Sequence, residues 1–253
     1  MIFDLQKAST LKRMSAFILD AILVCIVATG FAFVASQITD YDGHSERLEA
    51  YYSEYETKYG VKFRVTEEER AAFSAEEEEK YKEAYEALIA DEDAMREYSV
   101  VFNLTLTITS LGILLAFLAM EFIVPLVLKN GQTVGKKVFG IGVMRTDGVK
   151  ISTVMLFVRT FLGKFTLETM IPVLIIIMIF FNGIGITGLI VLGAELLLQI
   201  ILFSATRTRS LIHDLLAGTV VVDMASQMIF DSEDEMIAYR KRVSAEKAAR
   251  SPY

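Results

Sequence analysis

Cysteine and histidine are nearly absent from this chain of 253 residues, and each scarcity excludes a chemistry. One cysteine, Cys25, allows no intrachain disulfide, and two histidines leave little for a zinc site. Positive charge is short as well. The formal net charge is −7, where a nucleic-acid binder would present a clustered basic face. Apolar residues, by contrast, make up 53% of the chain, and a mean hydropathy of +0.45 excludes disorder and lies beyond a typical soluble domain. Charge is unevenly spread. Residues 39–97 hold 19 of the 32 acidic and 8 of the 25 basic side chains, a local net of −11 that leaves +4 for the remainder. This is the composition of a multi-pass membrane protein with an acidic polar insert.

An apolar bilayer core takes about 20 helical residues to cross. Residues 14–38, interrupted only by Asp20, and 98–128, interrupted by Glu121, each suffice. Residues 165–204 are too long for one span, and the turn-rich Asn182-Gly-Ile-Gly-Ile-Thr-Gly188 divides them into a helical hairpin. Lys7, Lys12 and Arg13 before the first run resemble the start of a signal peptide. The 25 residues that follow exceed an h-region of about 7–15, so a retained helix is expected. Basic residues near the N-terminus, Lys129, Lys136, Lys137, Arg145 and Lys150 after the second span, and Arg207 and Arg209 after the fourth set the topology. They place both termini and the central loop in the cytoplasm.

The expected fold is an all-α, four-helix transmembrane bundle with an external helical insert and a small cytoplasmic β element. Residues 1–38 form the N-terminal segment and first span, 39–97 the extracellular acidic insert, and 98–128 the second span. Residues 129–164 form a cytoplasmic loop with a β-hairpin and an interfacial helix, 165–204 the transmembrane hairpin, and 205–253 the tail. Within the insert, Thr66-x-x-Glu69 and Ser74-x-x-Glu77 are capping boxes that start helices near 66 and 74. Tyrosine stripes at helical spacing (Tyr51, Tyr52 and Tyr55; Tyr81 and Tyr85) should close those helices on one another, with Glu76 to Glu79 solvated. In the loop, residues 138–145 are β-rich, Asp147-Gly148 signals a turn, and 219–222 are a further strand able to pin loop to tail. Residues 151–164, with Arg159 and Lys164 among apolar neighbours, have the pattern of an interfacial helix.

Three motifs carry a resemblance: Arg13-x-x-x-Phe17-x-x-Asp20; Gly131-Gln132-Thr133-x-Gly135-Lys136-x-x-x-Gly140-Ile141-x-Val143; and Ser210-Leu-Ile-His213-Asp214-x-x-Ala217-Gly218-Thr219-x-Val221-Val222. In this order they resemble the signatures of the RDD family of bacterial membrane proteins, with Arg13, Asp20 and Asp214 as the family-motif polar residues. The resemblance implies a multi-helix domain of the bacterial inner membrane, with transport, including cation/proton exchange, among the activities of some members. It does not extend to the acidic insert.

No hydrolytic, redox or phosphoryl-transfer constellation is present, so neither an enzyme nor a cofactor or metal is expected. Gly183-x-Gly185-x-x-Gly188 lacks the strand a dinucleotide site needs, and Gly131 to Lys136 is one residue short of a phosphate loop. Cys25 reads as a small packing residue. Ionisable groups at membrane depth are the unusual chemistry. At about 1.5 Å per residue, Asp20, Glu121, Glu168 and Glu195 from four helices fall in the same half of the bilayer. Each costs at least about 2.5 kcal/mol there and usually faces a cavity, a partner or a pathway. Asp20 and Glu121, on antiparallel neighbours, are expected to come close enough to share a proton, which suits exchange of a monovalent cation for protons. The alternative is a non-catalytic scaffold or accessory subunit in which these carboxylates are fixed ion pairs, with Arg159 or Lys164 as partners. Such a subunit would bind a protein, or a second copy of itself, through the acidic insert or the cytoplasmic sheet. The lipid bilayer is the partner common to both.

Overall fold

The computed structural model describes residues 5–181 and 183–250. The N-terminal four residues of the expected first segment, Asn182 of the expected turn and the last three residues of the tail lie outside them. The chain forms two compact units: residues 30–112, and residues 1–29 with 113–253.

Among the described residues, four helices are long and apolar enough to cross a membrane: α1 (Thr10–Ile38), α5 (Glu92–Leu128), α7 (Thr153–Phe180) and α8 (Gly185–Ala205). The Ser9 hydroxyl accepts the Lys12 N–H at 3.2 Å and opens α1. The 29 residues that follow extend about 43 Å, enough for an apolar core of about 30 Å with about two turns to spare.

In residues 30–112, α2 (Tyr41–Tyr59), α3 (Glu67–Ala71) and α4 (Ala75–Ala90) precede α5. Both capping boxes form as expected, each hydroxyl accepting the backbone N–H three residues on while that glutamate accepts from the cap's N–H. Leu48 on α2 and Tyr81, Ala84 and Leu88 on α4 are buried, and Phe63 is the hinge of the aromatic core, touching Tyr52, Tyr81 and Tyr85. Asp91 accepts the N–H groups of Asp93 and Ala94 and so starts α5 at Glu92. The expected insert boundary at 97 therefore falls inside one continuous helix.

In the other unit, α5 stops at Lys129, Asn130 and Gly131, which all have positive φ (65°, 51° and 58°) and turn the chain back. Gly131 has a second reason to be glycine: a Cβ there would lie 2.9 Å from that of Val143. Thr133 caps the single turn α6 (Val134–Val138). Strand β1 (Ile141–Arg145) pairs antiparallel with β2 (Thr219–Asp223), Val143 opposite Val221. Loop and tail are thus joined as expected. The expected hairpin at Asp147-Gly148, however, returns onto β1 through a single bridge from Met144 to Lys150. One face of the sheet buries Ile141, Val143 and Val221 against Ala8 and Ala16, and the other buries Met144, Val220 and Val222. The five-residue α9 (Ile212–Leu216) precedes β2, and α10 (Glu233–Arg250) follows it.

The interfacial helix expected at 151–164 is instead the first half of α7. Ser152 caps it, and no break occurs before Phe180. Its middle, Val158–Met170, is π-helical, as is Phe117–Ile123 within α5. The wider turn lets the helix continue through residues whose pattern reads as a surface segment. The two π segments face each other through rings, with Phe117–Phe165 at 5.7 Å and Phe122–Phe161 at 5.5 Å between centroids.

Candidate functional site

Proline supplies the local reason for both π segments. Pro125 and Pro172 each stand in the first α-helical turn after one. A proline lacks an N–H and its ring crowds the carbonyl four residues back. Those carbonyls belong to Glu121 and Glu168. An i→i+5 turn relieves that crowding and is frequent at functional sites. The Thr160 hydroxyl, fully buried, donates to the Glu121 carbonyl at 3.0 Å and ties the two segments together.

The side chains in these wide turns are charged and paired. Glu121 is buried and accepts from Lys164 Nζ at 2.6 Å. Arg159, only 3% exposed, meets Asp214 of α9 at 3.0 Å. Glu168 holds His213 twice, accepting from its backbone N–H at 3.0 Å and standing 2.7 Å from Nδ1. Gly163 permits that approach, since a Cβ there would lie 2.5 Å from the His213 Cβ. On α1, Asp20 is buried. It accepts the Gly135 N–H at 2.7 Å and the Thr133 hydroxyl, with Lys136 Nζ at 3.9 Å. Gly135 admits that contact, because a Cβ would lie 2.9 Å from the Asp20 carboxyl carbon.

The expected proton-sharing pair of Asp20 and Glu121 is therefore replaced by separate partners, a lysine for Glu121 and a loop for Asp20. Asp20, Glu121, Glu168 and Glu195 nonetheless line one cavity of about 540 Å³, with Lys164 and His213 in the same wall. Among the described residues no three His, Cys, Asp or Glu groups are arranged to hold a metal ion. Cys25, expected to pack, is exposed on α1 and lines this cavity. Glu195 stands half-buried on α8.

Asp214 sits outside the spans and is 3% exposed. Burial opposes its charge, but Arg159, His213 and the Thr219 hydroxyl together outweigh burial and hold its carboxyl below the ordinary value. Burial pushes His213 down; Asp214 and Glu168 oppose that without reversing it. Lys136 is lowered to about 8, by burial first and then by the charge of Lys164. Arg13 bonds neither aspartate. It donates to the carbonyls of Arg209 at 2.8 Å and Val221 at 2.6 Å, fastening α1 to the tail and the sheet.

A model of the RDD family matches residues 7–218. The chain belongs to the RDD family. No curated protein and no solved structure matches it. In this RDD protein, the residues singled out by sequence, Arg13, Asp20 and Asp214, join three separate segments to one another. Each closes on a part of the chain more than 50 residues away. The pairing of Glu168 with His213 and the role of Lys136 beside Asp20 are not visible in the motifs. The repeated Glu-x-x-x-Pro at 121–125 and 168–172 is the signal that marks both π segments.

Proposed function

We propose that this membrane protein exchanges a small monovalent cation for protons through the cavity bounded by Asp20, Glu121, Glu168 and Glu195. One observation carries the reading: four carboxylates from four candidate spans line a single cavity that also contains a lysine and a histidine. Ionisable groups at this depth are costly and commonly mark a pathway. An entering cation competes for Glu121 with the Lys164 ammonium, which holds it at 2.6 Å. His213, between Glu168 and Asp214, offers a second proton-carrying group beside the cavity. Positive residues around both termini and the central loop favour a cytoplasmic location for all three in a bacterial cell membrane.

The test is internal pH in proteoliposomes carrying a trapped dye, after Na⁺, K⁺ or Li⁺ is added outside. The unaltered protein should release protons with at least one ion. Glu121→Gln, which keeps an acceptor for Lys164 but cannot carry the exchange, should abolish that release while remaining folded, and Asp20→Asn should do the same. Absence of proton movement with all three ions, or equal movement by both variants, overturns the reading.

A scaffold role is the second reading. It draws on the fact that Glu121, Glu168 and Asp214 already have cationic or histidine partners, as a fixed clamp would. Deleting residues 44–95 separates the two: exchange persists without the acidic insert, whereas a scaffold acting through it loses its protein partner.

A further inference from the structure

A neighbouring cavity of about 490 Å³ opens beside Arg13; it shares Asp20, Lys164 and His213 with the carboxylate cavity, but cations predominate in its wall. Its polar wall holds Arg13, Lys136, Arg159, Lys164 and Arg209, against the carboxylates of Asp20 and Asp214. Those two aspartates are already engaged, with Arg159 on Asp214 and the Thr133–Lys136 turn on Asp20. Arg13 and Arg209 instead spend their hydrogen bonds on oxygens without formal charge, Arg13 on backbone carbonyls and Arg209 on the Thr10 hydroxyl at 2.7 Å. Lys164 is held by Glu121, so the positive charge left over is that of Arg13 and Arg209. Donors are left over as well: among the described residues, the Nε–H groups of Arg13 and Arg159 are buried and have no acceptor. Arg159 is 3% exposed, so its unused donor is shielded from bulk water.

The opposite wall is apolar. Met14, Phe17, Leu196 and Ile200 line it, all more than half exposed and all on α1 or α8, two of the candidate spans. Arg13 is in the first turn of α1 and Arg209 lies four residues beyond the end of α8, which is headgroup depth for helices of this length. A site with spare guanidinium donors at that depth and an apolar flank below it matches an anionic amphiphile. Guanidinium forks suit the paired oxygens of a phosphate better than they suit a halide or a single carbonyl. We propose that this cavity binds the phosphate of one anionic phospholipid, whose chains lie along the α1–α8 wall. The site adjoins the carboxylate cavity and differs from it in ligand, and its test does not use transport.

Delipidated full-length protein in neutral detergent is titrated with phosphatidylglycerol, with phosphatidylcholine of the same chains, and with inorganic phosphate, and adducts are counted by native mass spectrometry. One phosphatidylglycerol should be retained at concentrations where phosphatidylcholine is not. Arg209→Gln should weaken that adduct about fivefold, the value of one basic charge beside an anionic headgroup. Arg13→Lys, which keeps the charge but loses the fork and its Nε–H, should weaken it too. Equal retention of the two lipids by the unaltered protein overturns the proposal, whatever the variants do. So does a folded Arg209→Gln protein that binds like the original. Displacement of phosphatidylglycerol by millimolar inorganic phosphate would make this a soluble-anion site and overturn the assignment to lipid.

Discussion

Lys136 shows at the scale of one residue how burial becomes a measurable property. The residue is 8% exposed, and its pKa is lowered from 10.5 to about 8. Below pH 8 the folded chain carries this charge where it is disfavoured. Between pH 8 and 10.5 the folded form releases the proton while the unfolded chain retains it, so stability rises with pH across that window, by about 3 kcal/mol at its upper end. In detergent, the thermal midpoint of the unaltered protein should climb from pH 8 to 10 relative to Lys136→Met, and parallel profiles would refute the assignment. Lys136 also marks the limit of what its neighbours in sequence reveal. Asp20, Glu121, Glu168 and Glu195 are conspicuous because each interrupts an apolar run. Their partners are not, because the rotation that points Lys164 at Glu121 and Glu168 at His213 comes from π-helical turns, where 100° per residue no longer holds.

Among whole elements, legibility follows how local the cause is. The starts of α3 and α4 are written in four residues each, and both capping boxes form where the Ser/Thr-x-x-Glu pattern puts them. The extent of α7 is not local. Nothing in residues 151–164 announces that they continue into the apolar run beyond, and the continuity is sustained by packing against α9 and the π segment of α5. Gly163 is the contact on which that packing turns. In Gly163→Ala the new methyl would meet the backbone of α9 at 2.6 Å, so the two elements must part. A loss of about 2 kcal/mol is expected, of the size usual for overpacking. Gly193→Ala on α8, where a methyl meets nothing within 4 Å, is the matched control and should be neutral or slightly stabilising. Thermal midpoints in detergent compare the two directly, and equal values would remove Gly163 from its role.

For the molecule as a whole, apolar runs were enough to count four spans, and a two-stranded sheet joins the segments that the motifs had already placed in order. Orientation rests on charge asymmetry, and labelling decides it. With Cys25 replaced, Glu79→Cys should react with an impermeant maleimide on intact cells and Lys137→Cys should not; the reverse pattern inverts the topology. The sheet also carries a consequence for the order of events during synthesis. β1 precedes β2 by more than 70 residues, and His213 and Asp214 emerge only after the last span. Until then Arg159 and Glu168, already committed to the third span, have lost water without gaining their partners. The nascent protein therefore passes through an electrically incomplete state that is resolved only when the segment following the fourth span emerges. Neutralising Arg159 and Glu168 is a late step that waits on α9.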